Sequence, residues 1–191
     1  TLATLFLDAP LQAGQLYQLQ LANSVQDCSG NSVSNSTVTI GLPTKPDPLD
    51  VVVNEIMFNP ASGGSRYVEM YNRSNKTFNL KEFYLANFFD GTDVKPIDLQ
   101  RLFLPEQYVV VCANADDITS RFSGIVPENV VEMDYPGMDD KVGTATLIWT
   151  GVGQSVTLDS FAYTEDYHNA VYNVSEREGV ALERIRVDGP T

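Results

Sequence analysis

Residues 51–72 read VVVNEIMFNPASGGSRYVEMYN. Two runs rich in Val, Ile, Met and Tyr flank a cluster of Pro, Ser and Gly, the composition of two strands joined by a turn. Each run carries one acid among apolar neighbours, Glu55 in the first and Glu69 in the second. Strict alternation puts Glu55 on the face of Val51, Val53 and Met57, and Glu69 on the face of Tyr67 and Tyr71. The rest of the chain reads as strands added to this pair.

Downstream, short β-rich runs bounded by Gly, Pro, Asn and Asp recur at 78–86, 107–112, 129–133, 144–149, 155–163 and 180–187. With 51–57 and 66–71 they predict an all-β sandwich or barrel. One stretch departs from the pattern: Asn114 caps, acids follow in the first turn and Arg121 closes, predicting a short helix over 114–122.

Upstream, residues 1–41 alternate in three runs, LATLFLDAP, QLYQLQL and STVTI, and predict a three-stranded meander. LPTKPDPLD, residues 42–50, holds three prolines in nine residues. Proline cannot donate to a ladder and stiffens the chain, so the expected division is a first module over 1–42, a Pro-rich linker over 43–50 and a second module over 51–191.

Asp and Glu total 25 against 12 Lys and Arg, a formal charge of −13. Such a surface repels phosphates, so neither nucleic acid nor an anionic membrane face is an expected partner. No apolar run reaches the roughly 18–20 residues needed to span a bilayer. The chain opens at Thr1, inside an alternating pattern, and is expected to be a fragment of a longer precursor.

Five motifs, VVVNEIMFNP, YVEMYNRSNKTFNL, LPEQYVVVC, DSFAYTEDYH and GVALERI, follow one another in the order of the bacterial lamin tail domain, which this stretch resembles from Val51 to about Val187. The resemblance implies an Ig-like β-sandwich. Residues 7–31, LDAPLQAGQLYQLQLANSVQDCSGN, resemble the closing strands of bacterial S-layer-type Ig-like domains. Together they imply an all-β chain: a lamin-tail-like Ig sandwich preceded by a partial Ig-like meander. The nuclear role of animal lamins does not transfer, because it needs a heptad-repeat rod and a basic localisation signal that the sequence lacks. Bacterial members look like accessory modules of secreted or surface proteins.

Glu55, Glu69 and Glu183 each interrupt an apolar strand, and a buried carboxylate needs a partner. Arg66, Arg73, Arg184 and Arg186 are the nearby cations. The bland reading, paired or solvent-facing acids that determine fold, outweighs a carboxylate pair for glycoside hydrolysis. On it, Glu69→Gln is expected to lower stability. Acidic clusters at Asp90 and Asp93, at Asp116 and Asp117, and at Asp139 and Asp140 offer oxygen ligands for calcium without EF-hand spacing, and turn formation explains them better.

His168 is the one histidine, with Asp166 nearby and no nucleophile elbow, so catalysis there is disfavoured. Cys112 reads as a buried small hydrophobe, Cys28 sits in a turn, and a disulfide between them is disfavoured. Most of the nine Tyr and nine Phe must be core, with an exposed subset left for contacts. Sequons occur at Asn35, Asn72, Asn75 and Asn173.

No residue is assigned as catalytic, cofactor-binding or metal-ligating, and no cofactor is expected. The expected function is a non-enzymatic structural or interaction module of a secreted or cell-surface protein, with adhesion as one form. The alternative is an accessory module binding carbohydrate or protein beside an extracellular enzyme; a carboxylate-dependent hydrolase comes last. The expected partner is a protein or carbohydrate at the cell surface, and the expected location is extracytoplasmic.

Overall fold

The structure is a computed structural model that describes residues 4–20, 26, 28–32, 37–89, 92–168, 176–186 and 188–189. The strands in chain order are β1 (Leu16–Gln20), β2 (Thr37–Gly41), β3 (Val51–Met57), β4 (Tyr67–Asn72), β5 (Phe78–Asn79), β6 (Phe83–Asn87) and β7 (Asp93–Pro96). There follow β8 (Leu102–Phe103), β9 (Tyr108–Cys112), helix α1 (Ala115–Arg121), β10 (Val130–Glu132), β11 (Val142–Gly151), β12 (Gln154–Thr164) and β13 (Leu182–Glu183).

Two sheets make an Ig-like sandwich: a five-stranded sheet in the order β10-β9-β4-β3-β13 and a four-stranded sheet in the order β12-β11-β6-β7. Their inner faces meet in a core that includes Val51, Ile56, Val68, Met70, Phe83, Leu85, Leu147 and Leu158, all buried. Burying apolar side chains from two facing sheets is the main force holding such a fold together, at about 25 cal/mol per Å² removed from water.

The helix falls where the sequence predicts it. Asn114 Oδ1 accepts the Asp117 N–H at 3.0 Å, and Arg121 closes an ion pair onto Asp117 one turn earlier. Its placement has a topological consequence: β9 and β10 run parallel, Val110 beside Val130, and parallel neighbours need a crossover such as α1 supplies. The helix thereby lies on the outer face of the five-stranded sheet, where Ile118 packs with Met57, Tyr67, Val110 and Cys112.

Several expected strands differ. The run 78–86 breaks at a 3-10 turn, Leu80–Glu82, capped by Asn79, and 180–187 shortens to Leu182–Glu183. β7 and β8 were hidden by their brevity and by Pro96, which suits an edge strand. The three-stranded meander is corrected to a two-stranded hairpin, β1 against β2. Its first run, from residue 4, forms no strand and exposes Leu5, Phe6 and Leu7.

The proline-rich stretch rests on the sandwich. Pro46 is buried, Thr44 N–H donates to Thr77 O at 2.9 Å and Leu49 N–H to Leu158 O at 2.8 Å. Lys76 Nζ contacts Asp47 at 2.5 Å and Asp50 at 2.7 Å, and these carboxylates raise the ammonium pKa.

Candidate functional site

The site grows from an irregularity in β3. Val53 pairs with Met70 and Glu55 with Glu69, so Asn54 is one residue too many and forms a bulge. An extra residue shifts the side-chain alternation by one. Val51 and Val53 remain in the core with Ile56, whereas Glu55 turns to the outer face with Met57 and Tyr67. The face expected for Glu55 from unbroken alternation is therefore corrected: it parts from Val51 and Val53 and joins Glu69.

Register then lines up three acids. Glu183 of β13 stands opposite Glu55, and Glu55 opposite Glu69, so three adjacent strands carry a row of carboxylates on one face. Directly opposed like charges destabilise a sheet by roughly 0.2–1 kcal/mol per pair. Two neutral donors moderate the row: the Tyr67 hydroxyl donates to Glu55 Oε1, and Asn54 Nδ2 donates to Glu69 Oε1 at 2.8 Å. The Asn54 side-chain oxygen, Oδ1, is buried with no donor among the described residues.

Burial lifts the Glu55 carboxyl above its usual range, the Tyr67 hydrogen bond opposes the rise and Glu183 adds to it. Burial likewise lifts Glu69, opposed by Asn54 and reinforced by Glu55 and Glu183. Tyr67, buried beside the same acids, is pushed far upward in turn. Next along the face Tyr71 and Tyr108 stack with ring centroids 4.4 Å apart, and Tyr108 is 39% exposed.

The arginines expected as counter-charges are occupied elsewhere. Arg66 pairs with Asp140 and donates through Nε to Phe58 O at 2.9 Å. Arg73 donates to Leu49 O at 2.6 Å, Arg186 meets Asp188 at 3.5 Å, and Arg184 meets Asp159 at 2.7 Å. The Arg184 guanidinium and the Asp159 carboxylate are both buried. Together they clasp the bulge, since Val53 N–H donates to Asp159 Oδ2 at 2.9 Å and Arg184 Nε donates to Val53 O at 3.0 Å. Sequence offers one signal for this pair, a charged residue in each of two predicted strands, and none for their meeting.

The remaining candidates do not converge with the row. His168 is buried with its ring on Phe58, centroids 5.5 Å apart, and Phe58 belongs to the inner core. Burial and Arg177 lower its pKa. Asp166 donates its N–H to Thr164 Oγ1 at 3.4 Å within the turn. Asp93 accepts from Gly137 N–H at 2.8 Å and lies 3.7 Å from Lys95, while Asp90 lies outside the described residues. Asp117 accepts from Ser65 N–H at 2.8 Å, Asp139 from Lys141 N–H at 2.8 Å, and Asp140 pairs with Arg66. Among the described residues no three acids, histidines or cysteines converge as metal ligands would.

Both cysteines are free thiols, Cys28 exposed and Cys112 buried, and burial pushes the Cys112 thiol up to about 11. Asn72, read as a sequon, is fully buried. Its Nδ2 donates to the carbonyls of Lys76, Phe103 and Leu104, and its Oδ1 accepts from Ser74, so it ties two loops together. Asn35 and Asn173 lie outside the described residues.

A search of curated proteins returns no match. A family model described as Lamin Tail Domain matches residues 44–175, starting in the proline-rich stretch and leaving out the β1–β2 hairpin. That family is an Ig-like module type rather than a catalytic fold, in keeping with the sandwich. With well over half of its 191 residues matched, the chain belongs to the Lamin Tail Domain family.

Proposed function

We propose that the chain is a non-enzymatic interaction module of a secreted or cell-surface protein, and that it engages a protein partner through the half of the outer face that α1 leaves uncovered. One observation supports this reading above others: Glu183, Glu55 and Glu69 stand in a row beside the Tyr71–Tyr108 stack, while the nearby arginines are committed elsewhere. A like-charge row costs stability within the module. A Lys- or Arg-rich segment laid across it relieves that cost, and the exposed tyrosine adds a cation-π contact. Adhesion is the form this contact takes at a cell surface, the setting that the resemblance to bacterial lamin tail modules implies.

The test immobilises the 191-residue chain and passes over it a lysine-rich peptide, an uncharged peptide of equal length and a glutamate-rich one. Saturable binding of the first alone, weakened at least fivefold by Glu183→Gln or Tyr108→Ala and by added salt, supports the reading. Equal binding of all three peptides overturns it. Location is tested by treating intact cells that produce the parent protein with protease: cleavage of this segment supports surface display, and full protection overturns it.

A further inference from the structure

The two outer faces of the sandwich carry contrasting groups. The four strands β12, β11, β6 and β7 hold three charged residues, Asp93, Lys95 and Asp159. Lys95 stands opposite Leu85 and Asp159 opposite Leu147, both core residues, and Asp93 is two positions from Lys95, so all three take the inner side. The outer side of that sheet is left without an acid or a base, in a chain whose formal charge is −13. This face is open to solvent: Val94, Pro96, Thr150, Thr157, Ser160 and Ala162 are all exposed.

Register sorts the face into cross-strand rows. One runs Pro96, Tyr84, Ile148, Thr157 and holds the large side chains. The next runs Val94, Ala86, Thr146, Ser160, where Ala86 and Thr146 are 0% and 2% exposed and lie low beside Tyr84 and Ile148. A ridge and a furrow therefore adjoin, about 7 Å apart along the strands. The hydroxyls around them already have partners: Thr146 Oγ1 and Ser160 Oγ share a hydrogen bond at 2.7 Å, Thr150 Oγ1 and Ser155 Oγ another at 3.3 Å, and Thr144 Oγ1 donates to Asn87 Oδ1 at 3.1 Å. Covering these groups leaves none of the three pairs unsatisfied, whereas a glycan needs free donors and acceptors.

We propose that two copies of the chain pair through this face, about a two-fold axis that lays the Tyr84–Ile148 ridge of each in the Ala86–Thr146 furrow of the other. A two-fold axis needs a patch complementary to itself, which an adjoining ridge and furrow provide. Charge selects the same occupant, since copies at −13 repel and here no acid of one meets an acid of the other. The strands, of eleven, ten, five and four residues, span about 500 Å² per copy at about 3.3 Å per residue and about 4.8 Å between strands. A pair then covers about 1,000 Å², the lower bound for a specific interface, so the dimer is weak and reversible. The pairing does not rest on the protein-binding reading, and it leaves both acid rows open on the far sides.

Sedimentation equilibrium of the 191-residue chain across roughly 10 µM to 1 mM tests it, beside amide shifts of the ¹⁵N-labelled chain on dilution. A monomer–dimer equilibrium is expected, tightening as salt screens the overall charge, with the concentration-dependent shifts gathered on β6, β11 and β12. Ser160→Glu and Val94→Glu, at opposite ends of the furrow row, each place a carboxylate in the covered face. Each should weaken the dimer about tenfold or more while the melting temperature of the dilute chain holds. Ser123→Glu adds the same charge just beyond α1, on the side of the other sheet, and should leave the dimer intact. A chain monomeric throughout that range, shifts gathered elsewhere, or a dimer that Ser160→Glu leaves whole or that Ser123→Glu weakens equally would each overturn the proposal.

Discussion

Asp159 of β12 and Arg184, the residue after β13, meet at 2.7 Å in the seam between the two sheets, and both reach the backbone of Val53. A buried pair of this kind is weak support for stability as a pair and strongly destabilising when halved. Arg184→Met takes the cation from a buried carboxylate and should cost about 3–5 kcal/mol, read by urea unfolding. Adding Asp159→Leu to Arg184→Met should recover part of that loss. A double variant no better than the single one would mean that the pair holds β3 by more than charge.

The carboxylate row yields a prediction of opposite sign to the one drawn from sequence. The sequence reading expects Glu69→Gln to weaken the fold, on the view that Glu69 is a buried fold determinant. It faces Glu55 instead, and Gln at 69 can still accept from Asn54. The folded-state pKa values of Glu55 and Glu69 lie above the ordinary 4.5, so the folded chain takes up a proton before the unfolded chain as pH falls. The row therefore costs most at neutral pH, and acidification through the raised values relieves it. Glu69→Gln should stabilise by roughly 0.2–1 kcal/mol at pH 7, with the gain shrinking in acid. Thermal melts of both proteins across pH will show this; a constant gap would tie the effect to shape rather than charge.

His168 slopes the other way. Its pKa is below the ordinary 6.5, so the unfolded chain binds the proton first and stability declines as pH falls through that value. His168→Phe keeps an aromatic ring against Phe58 and should flatten the slope of unfolding free energy between about pH 7 and 5.

Asn72→Ala strips donors from the carbonyls of Lys76, Phe103 and Leu104 inside the fold. Leaving buried groups unpaired costs about 1–3 kcal/mol each, so unfolding should shift by at least that much. In a glycosylating host, mass spectrometry should find no glycan on Asn72, whose amide is consumed, whereas Asn75 is exposed.

Sequence carried the sandwich well, because the apolar β-rich runs of β3, β4, β9 and β12 are each bounded by turn residues and follow one another at strand-length intervals. It carried the row poorly. The bulge at Asn54 has no glycine to mark it, and a single inserted residue reverses the face of every side chain beyond it. The hairpin was over-read for a related reason: Leu5 and Leu7 alternate as a strand would, yet strand pairing needs a partner that alternation does not report.

The clasp at Val53 also bears on how the module would carry load. The chain reaches β3 at Val51, and β13 runs antiparallel beside it with only two paired residues, Leu182 with Ile56 and Glu183 with Glu55. Tension drawn between the start of β3 and the end of β13 acts on adjacent ends of the two strands and peels them apart one rung at a time. Two rungs resist little, so the yield point falls to Arg184 and its grip on Asp159 and Val53, a latch that sets how much pull the sandwich bears before its last strand lets go.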